Sequence, residues 1–186
     1  MTTKIKLLMI LMAVAVISSC KKDKDVVIPN EEELITTVNY TLTPVGGGTE
    51  VTMTFKDLDG DGGNDPVITG GTLAANTTYN GTLELLNETE SPAEDITEEI
   101  EEEDADHQFF FSTTVSDLSV AYADQDDDGN PVGLETTVTT LGVSSGSMTI
   151  ILRHEPNKSG TGVAGGDITN AGGETDIELT FNVDVQ

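Results

Sequence analysis

Residues 34–55 read LITTVNYTLTPVGGGTEVTMTF, and the alternation inside them decides the fold. Leu34, Thr36, Val38, Tyr40 and Leu42 share one parity, while Ile35, Thr37, Asn39, Thr41 and Thr43 share the other. A period of two with β-branched enrichment predicts a half-buried strand. Residues 44–48, PVGGG, supply a glycine-rich turn, after which Val51, Met53 and Phe55 alternate in a returning strand, so the segment predicts a β-hairpin.

The same period recurs outward from this hairpin. Tyr79, Leu83 and Leu85 alternate, Phe109 and Phe111 oppose Phe110, and Leu118, Val120 and Tyr122 alternate again. Residues 136–141 and 148–152 predict a second hairpin around Ser144, Ser145 and Gly146, and Ile177, Leu179, Phe181, Val183 and Val185 make a closing strand. Ser91-Pro92-Ala93-Glu94 has the form of a capping box with proline at the first helical position. Ile96 and Ile100 then give a narrow apolar stripe on an acidic helix running to about Asp106. Its carboxylates read as a solvated face or as a docking face for a basic partner. About eight short strands with turn chemistry between them favour an all-β antiparallel sandwich with one short inserted acidic helix; a closed β-barrel is the alternative. Leu73, six residues before Tyr79, resembles the tyrosine corner of immunoglobulin-like and fibronectin-like sandwiches, which implies a phenol bonded back to nearby backbone.

Charge restricts the partners. The 186 residues carry 34 Asp and Glu against 8 Lys and Arg, a formal net charge of −26. Such a surface repels nucleic acid and anionic headgroups, so cations are its natural counterpart. There is no Trp, and aromatics are 4% of the chain, too few to signal a sugar-stacking platform. Cys20 is the single cysteine, so disulfides cannot brace the domain.

The N-terminus predicts export. Lys4 and Lys6 precede an apolar run over residues 7–17, which ends in Ile17-Ser18-Ser19-Cys20. The run is too short to cross a ~30 Å hydrocarbon core as a helix. Small residues before a cysteine resemble the lipobox of bacterial lipoproteins, which implies lipidation of Cys20 and removal of residues 1–19 as a signal peptide. Residues 20–33 then form a polar tether with Lys21, Lys22, Asp23, Lys24, Asp25 and Pro29, and residues 34–186 a single domain. The charged tract after the cysteine resembles surface-export signals of Bacteroidota lipoproteins, so an outer-membrane anchor facing either the periplasm or the cell surface is expected.

Two Asp-rich stretches are candidate cation sites. Asp124, Asp126 and Asp128 precede Gly129, and Glu135 completes the spacing D-x-D-x-D-G-x5-E of a calcium loop. Calcium takes six to eight oxygens, which alternate carboxylates on a loop turning at glycine can supply, with a later Glu binding through both oxygens. Pro131 and the strand-like flanks depart from the helix-loop-helix version of that loop. Asp57, Asp59 and Asp61 repeat the front half, but Ile68 stands where the Glu belongs. The competing reading of both stretches is an Asp/Asn/Gly turn held by its own hydrogen bonds.

Other motifs carry less chemistry. Gly142-Val143-Ser144-Ser145-Gly146 fits G-x-S-x-G, but that elbow needs a strand-to-helix turn and strands flank this one. His107 and His154 have no second His or Cys at zinc-ligand spacing. Residues 159–173 form a long glycine-rich loop, readable as an adaptable binding loop or a mobile connection. No catalytic residue is assigned, and an enzyme is not expected.

The lipobox, EEELITTV, DLDGDGG, DITEEIEEED, RHEPNK and GGDITNAGGETDIELTF together resemble small uncharacterised lipoproteins of Bacteroidota. Some of these carry the label type 1 periplasmic binding fold, which needs two α/β lobes and about twice this length, so that fold and its sugar binding do not transfer. The expectation is a lipid-anchored, non-enzymatic binding or interaction module of the envelope, with calcium at the Asp-rich loops and an envelope protein as partner. Alternatives are a small-ligand binding protein, an accessory of an envelope hydrolase or transporter, and a structural acidic coat.

Overall fold

The opening alternation becomes β1 (Thr37–Pro44) and β2 (Val51–Lys56) in the computed structural model, which describes residues 34–60 and 63–186. The signal peptide, the tether with Cys20, and Asp61 of the first Asp-rich loop lie outside the described residues. The two strands pair antiparallel from Thr37↔Lys56 to Leu42↔Val51. Their turn needs glycine, because Gly46, Gly47 and Gly48 all take positive φ, at 99°, 94° and 147°.

After the hairpin come β3 (Val67–Thr69), β4 (Gly71–Leu73), β5 (Thr78–Asn87) and β6 (Glu94–Asp95). The helix α1 (Ile96–Glu102) leads to β7 (His107–Thr113) and β8 (Leu118–Tyr122). The chain finishes with β9 (Glu135–Thr140), β10 (Ser144–His154) and β11 (Glu174–Val185). One sheet has the order β3-β2-β1-β5-β9-β8, with β6 added to β5, and the other has the order β4-β11-β10-β7. The architecture is a β-sandwich, as the strand spacing predicts, and the sheets do not close into a barrel. Pairing is antiparallel except where β4 runs parallel to β11.

Between the sheets lie Val38, Tyr40, Leu83 and Leu85 from one side and Phe109, Ile150 and Phe181 from the other, so it is the parity of Val38 and Tyr40 that turns inward. Tyr79 makes the expected back-bond, its hydroxyl accepting from the Ala74 N–H at 2.7 Å. Ile96 and Ile100 are buried, as their spacing predicts.

Four details differ from the sequence reading. The eight long strands are those expected, but β3, β4 and β6 are two or three residues long, too short to show a period. The second hairpin is not formed: β9 pairs with β5 and β8, while β10 pairs with β7 and β11, so the chain changes sheets there. Ser144, Ser145 and Gly146 are therefore not a turn but the first residues of β10, opposite Val185, Asp184 and Val183. The helix starts later than the capping box implied: Asp95 is its N-cap, accepting from the Thr97 N–H at 3.0 Å, because Glu94 and Asp95 are first drawn into pairing with β5.

The registers sort the loops into two ends. Residues 57–66, 88–106, 123–134 and 155–173 connect strands at one end, where Leu34 also leads into β1. Among the described acidic residues, Glu50, Glu84, Asp117, Glu178 and Asp184 stand away from that acidic end; all others are on these loops or the strand residues beside them. Among the described residues, no helix is long and apolar enough to cross a membrane.

Gly81 shows how tightly the sheets are fitted. Tyr40 lies across it and holds Thr136 through a 2.6 Å hydroxyl contact in the core. A Cβ at position 81 would stand 2.4 Å from Thr136 Oγ1 and 2.7 Å from Tyr40 Oη. We predict that Gly81→Ala lowers stability in urea unfolding by about 1–3 kcal/mol through overpacking, whereas Gly165→Ala, in open space, changes it little.

Candidate functional site at the acidic end

The second Asp-rich stretch links β8 to β9 and meets two other loops. Asp124 is half-buried and accepts from the Gly133 N–H at 2.7 Å and the Glu135 N–H at 2.9 Å, so it staples the loop closed at its base. Asp126 is buried, and its Oδ1 accepts from the N–H groups of Asp128 at 3.1 Å and Asn130 at 2.8 Å. Its other oxygen, Oδ2, takes the Lys158 ammonium at 3.0 Å. Asp128 and Glu135 are exposed. The structure thus brings Asp124 to the backbone of Glu135 and Asp126 to the backbone of Asp128, while their carboxylates do not converge. Among the described residues, no group of three or more His, Cys, Asp or Glu is gathered to hold a metal.

Lys158 is the residue that sequence reasoning missed. It comes from the glycine-rich loop between β10 and β11, is buried, and donates to the Asp104 carbonyl as well as to Asp126. One ammonium therefore joins the turn after α1, the β8–β9 loop and the β10–β11 loop. The signal available was scarcity: Lys56, Arg153 and Lys158 are the cations of the described chain, and a lysine amid so many carboxylates is a candidate internal counter-ion. Burial pushes the Asp126 carboxyl up, but the Lys158 ammonium and the Asn130 N–H outweigh it and hold the group below the usual carboxylate range.

The loop carrying Lys158 is anchored as well. Val163 and Ala171 pack on Phe110, with Ile151 and Ile168 beside them, so this loop covers the outer face of the second sheet as a small satellite core. Short 3-10 turns at Val163–Gly165 and Ile168–Asn170 give it shape. That is why Phe110, on the parity opposite to Phe109, is only 3% exposed.

The described residues of the first Asp-rich stretch bond to one another. Asp57 Oδ1 accepts from the Gly60 N–H at 2.9 Å, and Asp59 Oδ2 accepts from the Asn64 N–H at 3.1 Å and its side-chain amide at 2.6 Å. These bonds from Asn64 hold the Asp59 carboxyl below its ordinary value. The two histidines face each other across β7 and β10, stacked at 4.9 Å with 12° between the rings; His107 is buried and its Nδ1 lies 3.2 Å from the Glu103 carbonyl. Sequence spacing could not show this pairing, because 47 positions separate residues that only the strand register opposes.

No protein-family model matches the chain, and no curated protein matches it. Among solved structures, the crystal structure of the S-layer protein SbsC domains 4 and 5 is similar at 13% identity and a TM-score of 0.30, over 78% of this chain and 75% of that one. At that TM-score the likeness carries no argument; the sandwich rests on the strand pairing given above.

The buried pair makes a graded set of variants. Lys158→Met should cost about 3–5 kcal/mol, because it strands a buried carboxylate. Adding Asp126→Asn should recover a good part, since the Asn oxygen keeps both backbone donors that now bond Oδ1 while the charge is gone. Because the Asp126 carboxyl sits below its ordinary value of 3.8 when folded, its contribution is complete above that pH and is lost as pH falls further. Chemical denaturation of wild type and double variant should therefore converge in acid; parallel stability curves down to the acid transition would refute the assignment.

Proposed function

We propose that the protein is a lipid-anchored envelope lipoprotein, exported through residues 1–19 and lipidated at Cys20, whose β-sandwich acts as a non-enzymatic binding or interaction module at the outer membrane. The observation that supports this reading best is the leader itself: basic start, apolar run and Ser18-Ser19-Cys20, followed by a polar tether. The sandwich begins at its acidic end, where Leu34 leads into β1. The resemblance to Bacteroidota lipoproteins agrees with it.

Cys20→Ala is expected to shift the protein from the membrane pellet to the soluble fraction and to abolish incorporation of radiolabelled palmitate. Equal labelling of wild type and variant, or an uncleaved leader on the wild type, would defeat the reading.

Calcium belongs to this proposal as the cation for the Asp-rich loops, and at Asp126 it must displace the Lys158 ammonium. Weak binding follows, in or above the ~0.1–1 mM range of extracellular calcium modules. Melting with several-fold more calcium than that should raise Tm relative to chelator; an unchanged Tm removes calcium from the proposal.

A further inference from the structure

The two lateral sides of the sandwich are finished differently. On one side the chain passes from β3 to β4 through Gly70 alone, stitching the sheets together. On the other, each sheet ends in an edge strand, β8 in the first and β7 in the second.

The hydrogen-bond parity shows what these edges offer. The Leu141 N–H bonds the Asp117 carbonyl and the Ala123 N–H bonds the Glu135 carbonyl, so residues 117, 119, 121 and 123 face β9. Leu118, Val120 and Tyr122 then direct their backbone N–H and C=O outward. On β7, the Glu155 N–H bonds the Asp106 carbonyl and the Thr114 N–H bonds the Ser147 carbonyl, which turns the backbone of Phe109 and Phe111 outward. Phe109 is provided for, its N–H by the Val132 carbonyl and its C=O by the Tyr122 hydroxyl, each at 2.7 Å. Among the described residues, the outward backbone groups of Phe111 and Val120 meet no such partner.

A cleft of about 280 Å³ opens at the same place, lined by Phe111, Val120, Ala121, Tyr122, Gly165 and Gly166. It is preformed. Gln108 Nε2 donates to the Tyr122 hydroxyl at 3.2 Å and to the Val163 carbonyl at 3.0 Å, fixing one aromatic wall and the glycine wall together. Phe111 and Tyr122 meet edge to face at 6.2 Å. Free backbone donors and acceptors beside an apolar pocket are what strand addition requires: main-chain bonds give affinity, and a pocket for alternate side chains gives specificity.

We propose that this edge binds an extended peptide segment of a basic partner protein, which adds as a strand along β8 and places one apolar side chain in the Phe111–Tyr122 cleft. The sign of the partner follows from charge. Asp117 and Asp124 flank the two ends of β8, and the chain carries a net −26, which also opposes a second copy of itself at this edge. The proposal rests on the reading of the protein as an interaction module and gives that module a place and a partner chemistry.

The test uses the full-length protein and a short synthetic peptide that alternates Val and Thr around a central Phe, with Lys at both ends, compared with the same peptide ended in Glu. The Lys-ended peptide should bind, with amide shifts confined to β7, β8 and residues 163–166, and the Glu-ended one should bind at least about fivefold more weakly. Val120→Pro removes an outward N–H while sparing the ladder to β9, and Gly165→Leu fills the cleft from a position where a Cβ meets nothing within 4 Å. Each should weaken binding about fivefold or more, the effect of losing one hydrogen bond or its equivalent. Val143→Ser, at the far end of the sheets, should not. Melting curves of both variants establish that they fold, and Gly165→Leu decides the matter should Val120→Pro fail to. Equal binding by both peptides, or binding indifferent to Gly165→Leu, overturns the proposal, as does dimerisation through this edge. A cross-linked pull-down from envelopes separates the two levels: a stoichiometric partner retained by both variants sinks the edge but keeps the module, and no partner with no peptide binding sinks both.

Discussion

Mutual repulsion among carboxylates is the constraint to which the rest of this fold answers. Two like charges 4 Å apart in water cost about 1 kcal/mol, and several times that near a protein surface of lower dielectric. The space between the sheets is filled by apolar side chains, and most of the acids are carried on loops and strand ends at one end. The described cations are all used within that end. Lys56 pairs with Glu88, Lys158 with Asp126, and Arg153 donates to Thr175 Oγ1 and the Gly173 carbonyl. With so few positive charges, each has a structural post.

The buried pair matters most among these because of what it joins. A partly exposed contact such as Lys56 with Glu88 is of a kind worth roughly 0–1 kcal/mol. Lys158 and Asp126 are both desolvated, so removing either strands the other, and the loops they connect would part. The glycine-rich loop thereby serves two purposes. Its apolar residues cover Phe110 on the outer face of the second sheet, and its lysine closes the β8–β9 loop.

How much was legible depends on the range of each interaction. The parity of residues 34–42 was readable because period two is a local property; Thr36, Val38, Tyr40 and Leu42 are buried, while Leu34, ahead of the strand, is exposed and Thr37, on the other parity, is buried as well. Tyr79 was readable because its partner, Ala74, is five residues away. The pairing of β9 and β10 was not legible, since adjacent strands joined by a short link can belong to one sheet or to two, and residues 141–143 look alike in both cases. The Asp-rich loops were ambiguous for a related reason. Alternating aspartates before a glycine suit a cation and a self-bonded turn equally, and the choice rests on what the carboxylates face.

The sequence alone determined the class of the domain, the alternation of its long strands and the acidic charge, because each is written in local pattern or composition. Tertiary structure decided which strands share a sheet, that Lys158 neutralises Asp126, that His107 stacks on His154, and that β7 and β8 leave an open edge. These last join residues between 14 and 47 positions apart, and contacts over such distances are fixed by packing and register, which leave no periodic mark in the chain.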